Sequence, residues 1–147
     1  MNASPDAGWP GRLLIATDEG FQAIVRTAIE LSSAAPATLL LVLVGADAAF
    51  PFKPRPSTIL VPGMPDGVIA CVPQLDEFGI ASRLASTLGL PGCYDGSVVE
   101  LAEVWLKSHE PARLAKIEIQ VCAGAETMRG MEDLGRRLGL PVGVIPA

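Results

Sequence analysis

Leu13-Leu14-Ile15-Ala16-Thr17-Asp18-Glu19-Gly20-Phe21-Gln22 is the stretch on which the fold turns. Four apolar residues in a row, without alternation, mark a strand covered on both faces, as in parallel sheets with helices on each side. The turn after them opens a helix: Phe21, Ile24, Val25 and Ala28 recur at i, i+3, i+4 and i+7, Arg26 and Glu30 take the outer face, and Pro36 ends the segment. Leu39 to Val44 is a second fully apolar run, so a βαβ unit is expected, right-handed by rule.

Pro51 to Pro65 carries five prolines, and Ser57 to Val61 reads as an excursion or an edge strand. Val68, Ile69, Val72 and Leu75 predict a helical stripe that Pro73 kinks or restarts. Ile80 to Ser86 follows as a strand whose Arg83 fits an edge better than the sheet centre. After the long turn Gly89 to Gly96, Ser97 caps a helix with Val98, Leu101, Ala102 and Trp105 inward and Glu103 and Lys107 paired outward. Pro111 closes it. Ile117 to Cys122 alternates apolar with polar, a strand covered on one face unless something polar or a partner covers the other. Met128, Met131, Leu134 and Leu138 form the last helix stripe, Gly139 its left-handed cap, and Val142 to Ile145 the final strand. These elements predict an α/β fold: a doubly wound, parallel five-stranded sheet of order 3-2-1-4-5, Rossmann-like, in one domain over 13–147 after a loose N-terminal arm over 1–12.

Composition narrows the function classes. A chain of 147 residues, 50% hydrophobic, can bury one sizeable core. Eleven Lys plus Arg against 16 Asp plus Glu give a net charge of -5, a field that repels phosphate backbones and anionic lipid, so neither nucleic acid nor membrane is an expected partner. The longest apolar run, Ala37 to Val44, falls short of the ~20 residues of a membrane span. Met1 to Asp6 has no signal-peptide character, and a cytoplasmic location is expected. Cys71, Cys93 and Cys122 lie far apart without a C-x-x-C, so no zinc or iron–sulfur site is assigned. His109 is the single histidine, beside a helix end, and no Ser, His and Asp set can be assembled around it, so no catalytic residue is named.

Three stretches in this order resemble the pyridine-nucleotide module of the ferredoxin-reductase family, nearest to the electron-transfer subunits related to dihydroorotate dehydrogenase. Leu13 to Gln22 is similar to that family's strand, glycine-rich turn and helix. Gly92-Cys93-Tyr94-Asp95-Gly96-Ser97-Val98-Val99 is similar to its Gly-x-x-Gly-x-Val turn. Val121-Cys122-Ala123-Gly124-Ala125-Glu126-Thr127-Met128 resembles its Cys-Gly-Pro-x-x-Met turn, where the nicotinamide would lie. The resemblance implies cofactor-binding positions at Thr17, Asp18, Glu19, Gly20, Gly45, Asp47, Tyr94, Gly96, Cys122 and Gly124.

The departures from the family describe a degenerate site. Of the family's first-turn glycines only Gly20 remains, the last motif lacks its proline and has Met128 one residue late, and Asp47 replaces the basic residue used for a 2′-phosphate, which argues against NADP. Asp18 and Glu19 suit the start of a helix as capping carboxylates. An acidic pair there also opens phosphate-accepting receiver domains, but Ile80 to Ser86 offers no acid and Val142 to Ile145 no lysine. Tyr94 reads equally as a stacking residue or an interface contact. Within about 5 Å of a diphosphate each carboxylate opposes binding by ~3 kcal/mol at an effective dielectric near 20, before screening. The expectation is therefore an accessory or binding subunit, not a complete enzyme alone, with no flavin, no iron–sulfur cluster and at most weak NAD(H). A flavoprotein or redox subunit is its expected partner, and a homo-oligomer, most simply a dimer, its expected state. The alternative is a working NADH-binding half that completes a flavoenzyme in trans.

Overall fold

The computed structural model describes residues 11–35 and 39–147. In chain order the elements are β1 (Gly11–Ala16), a single 3-10 turn (Asp18–Gly20), α1 (Phe21–Ala34), β2 (Leu39–Ala46), β3 (Arg55–Pro56), β4 (Ala70–Cys71), α2 (Pro73–Glu77), β5 (Ala81–Ser86), β6 (Tyr94–Asp95), α3 (Val98–Lys107), α4 (Pro111–Leu114), β7 (Glu118–Cys122), α5 (Ala125–Leu138) and β8 (Val142–Val144). The main sheet has six strands in the order β6-β5-β2-β1-β7-β8, with every neighbouring pair parallel. The five expected strands are thus joined by a sixth. Tyr94 and Asp95 lie in register with Ala85 and Ser86 because Gly92 (φ 77°) and Gly96 (φ 151°) turn the long loop back along the outer edge of β5.

β1 is fully buried from Leu13 to Ala16, as a central strand between two parallel neighbours must be. Leu13, Ile15, Leu41, Leu43, Ile119 and Val121 face α3 and α5, while Leu14, Ala16, Val42, Val44 and Leu84 face α1 and α2. The alternation along β7 has a matching cause. Ile119 and Val121 enter the first of these cores, and Glu118 on the other face stays exposed and pairs with Arg12 of β1 at 3.1 Å. β1 begins at Gly11, in register with Leu39 and two residues ahead of the expected boundary; the rest of the expected arm, residues 1–10, and the Pro36 helix stop lie outside the described residues.

One expectation for the middle of the chain needs correcting. Val68 to Val72 is not helical: a residue before proline is driven out of the α region, and Val72 is extended (φ -82°, ψ 110°), so α2 starts only at Pro73 and Ala70–Cys71 instead pairs antiparallel with Arg55–Pro56. Ser57 to Val61 takes the excursion form rather than the edge-strand form, as an irregular strap pinned by buried polar groups. Asp76, 8% exposed, accepts from Ser57 Oγ at 2.6 Å, Thr58 Oγ1 at 2.9 Å and the Thr58 amide at 3.2 Å. Arg83, 5% exposed, donates to the carbonyls of Ile59 and Ser82. β5 is the outermost of the long strands, which agrees with the edge reading of Arg83, but the strap covers that edge and buries the charge.

Burial alone would push the Asp76 carboxyl up, but the hydrogen bonds from Ser57, Thr58 and Cys71 outweigh it and hold the group below its ordinary value. A carboxyl depressed in the folded state contributes stability above its unfolded pKa and loses it as pH falls through the folded value. Urea midpoints measured from neutral pH down to about pH 3, below the ordinary ~3.9 of an aspartate, are therefore expected to fall in the wild type. Asp76→Asn should start lower at neutral pH and fall less. Asp76→Ala should cost about 2–3 kcal/mol, the scale of hydrogen bonds to a buried charge.

Candidate functional site

A crevice of about 330 Å³ opens at the carboxyl ends of the strands, between the segments that follow β1, β2, β6 and β7. This is the switch point of an open parallel sheet, where the crossover from β1 to β2 runs through α1 on one face and the crossover to β7 through α3 on the other, and where ligands of such folds bind. Thr17, Asp18, Glu19, Gly45, Asp47, Gly96 and Gly124 all line it. Gly20, Tyr94 and Cys122, also expected in the site, do not line the crevice. Sequence reasoning missed Ser97, Ala125, Glu126 and Thr127, which line it as well. Their signal was positional: they open α3 and α5, whose first turns point at the same edge as the α1 start.

The site is assembled from its backbone contacts. Gly20 donates from its amide to the Thr17 carbonyl at 2.9 Å and is buried against the end of β7. A Cβ added there would stand 1.8 Å from the Cys122 carbonyl oxygen and 2.6 Å from its Sγ, so no side chain fits. The contact between the two chain turns requires a glycine here, with no bound phosphate needed to explain it. Cys122 lies beneath it, 4% exposed in the core on the α1 face, and burial pushes its thiol pKa up. Thr17 ties the same two turns together: its hydroxyl accepts from the Gly124 amide at 3.0 Å and donates to Glu19 Oε2 at 3.4 Å. Gly45 is held close to α3, since a Cβ would come 2.7 Å from that of Val98. Tyr94 packs against the core on the α3 and α5 face under Gly96, with its ring edge where a Gly96 side chain would go.

Helix starts and carboxylates set the electrostatics. The N-terminus of α3 is closed by its own capping box, with the Glu100 amide on Ser97 Oγ at 3.1 Å and the Ser97 amide on Glu100 Oε1 at 2.9 Å. α5 starts at Gly124 with no side-chain cap, and its positive end would attract an anion. Glu19 is the anion found there: an added Gly124 Cβ would stand 2.5 Å from Glu19 Oε2 and 3.4 Å from Oε1. Asp47 is engaged by Thr87 Oγ1 at 3.2 Å. With Asp18 and Glu126, four carboxylates line the crevice, and no Lys, Arg or His is among the described lining residues. Asp18 and Glu19 are exposed, so water screens each toward the ~1 kcal/mol of a charge pair in bulk solvent rather than the ~3 of a drier site. Four such terms still act together. Among the described residues no three His, Cys, Asp or Glu side chains, these carboxylates included, are grouped closely enough to hold a metal ion.

The two turn glycines should respond differently to alanine. Gly20→Ala must displace backbone and is expected to destabilise by about 3 kcal/mol or more, the upper range for overpacking. Gly124→Ala meets only the end of a flexible glutamate and has a compatible φ of -63°, so chemical denaturation should show a change within about 1 kcal/mol.

No protein-family model matches this chain and no curated protein matches it, so the chemistry of the crevice is argued from its own side chains.

Proposed function

We propose that this chain is a stand-alone relative of the NAD(P)-binding module of ferredoxin reductase-like oxidoreductases, with a degenerate site, acting as an accessory or binding subunit. The observation that carries this reading is the lining of the switch-point crevice, with four carboxylates, no basic side chain among the described lining residues and the Glu19 carboxylate against the start of α5. The crevice stands where a dinucleotide module holds its pyrophosphate, but its lining disfavours a diphosphate. Hydride or electron transfer needs a carrier, and in this proposal a flavoprotein or redox partner supplies it. Asp47 at the end of β2 disfavours a 2′-phosphate, so whatever residual affinity remains falls on NAD(H) rather than NADP(H).

Titration calorimetry with NAD, NADH and NADPH is the test. The wild type should show no measurable binding. The variant carrying Asp18→Gly and Glu19→Gly should recover binding only partly, because the turn after β7 stays as it is. Wild-type binding of NADH in the low micromolar range, roughly -8 kcal/mol, would overturn the degenerate-site reading in favour of an NADH-binding half that completes a flavoenzyme in trans.

The same reading includes a homodimer in the cytoplasm. Leu60, Phe78 and Leu88 are large apolar side chains left 87%, 57% and 55% exposed, surface that a second copy would cover. Light scattering at high concentration should give the mass of two chains, and a clean monomer would contradict it.

A further inference from the structure

A second cavity, of about 350 Å³, lies at the opposite edge of the sheet from the crevice, where β1, β2 and β5 begin. Its size is within the roughly 300–1,000 Å³ of small-molecule sites. Leu41, Ile59, Val61, Ala81 and Trp105 give it apolar walls. The strap over 59–62 forms one of these walls, and the molecule commits several buried polar groups to holding it. Asp76 fixes Ser57 and Thr58, Arg83 donates to the Ile59 carbonyl, and Trp105 Nε1 donates to the Pro62 carbonyl at 3.1 Å.

Charge gives the cavity a direction. In a chain of net charge -5, the described lining includes Arg12 and Arg113 but no Asp or Glu. Arg12 meets Glu118 through Nη1 at 3.1 Å, and a guanidinium has five N–H donors, so this pairing does not exhaust it. We propose that the cavity binds a small amphipathic monocarboxylate, its alkyl or aryl body against Trp105 and Leu41 and its carboxylate at Arg12. This site is independent of the crevice and of the nucleotide reading.

The test is a titration of the full chain, labelled with nitrogen-15, with decanoate and with decanol, followed by amide and indole NMR signals. Saturable shifts in the decanoate titration are expected at the Trp105 indole and at the Val61 and Ala81 amides, with decanol binding at least about tenfold more weakly. Ala81→Phe should fill the cavity and abolish those shifts while signals elsewhere stay in place. Arg12→Met, which leaves the apolar walls intact, should bring decanoate down to the level of decanol. The proposal is overturned if the wild type shows no saturable shift, if decanol binds as well as decanoate, or if both variants bind like the wild type.

Discussion

The backbone of Gly20 rests on the carbonyl of Cys122, a contact so close that even a methyl group would collide with it. That approach joins the turn after β1 to the turn after β7, and the Thr17 hydroxyl completes the joint by accepting from the Gly124 amide. The starts of α1 and α5 are thereby brought to one edge of the sheet, which creates the crevice. Glu19, one residue before Gly20, is delivered onto the start of α5 by the same geometry. The contact that closes the fold at this end therefore also installs a carboxylate where an anionic ligand would seek the helix dipole.

The opposite edge follows another design. There the polar investment is structural, with two buried charges, Asp76 and Arg83, spent on holding an irregular strap rather than on aligning groups toward the crevice. Burial of Cys71 and its contact with Asp76 push that thiol up, which keeps it protonated as part of the same cluster. The two ends of the sheet thus differ in kind: one has exposed carboxylates around an open crevice, the other a latched strap beside an apolar cavity.

Much of the architecture could be read in the sequence because it rests on local signals. Leu13 to Ala16 and Leu39 to Val44 are unbroken apolar runs, and a strand buried on both faces has few alternatives. The Ser97 N-cap and the Gly139 left-handed cap are written in one or a few adjacent residues, and both form as expected, with Glu100 completing the first into a capping box. What escaped was nonlocal. Tyr94 and Asp95 become a strand only because β5 lies beside them, and the latch unites Asp76 with Ser57 and Thr58 across a sequence gap that no periodicity spans. Val68, Ile69, Val72 and Leu75 imitated a helix stripe, but Pro73 dictates where helix can begin. At the site, seven of the ten expected residues meet in the crevice. Gly20 and Cys122 belong beneath it, since a glycine needed for close packing and one needed for phosphate access look alike in sequence.

In the proposed function the crevice repels dinucleotide phosphates because carboxylates stand at its helix ends. The most direct measurement follows the Gly124, Ala125 and Glu126 amide signals by NMR during addition of NADH at low salt, where electrostatic attraction or repulsion is least screened. These signals are expected to stay in place into the millimolar range. Saturable shifts of all three at micromolar NADH would contradict it.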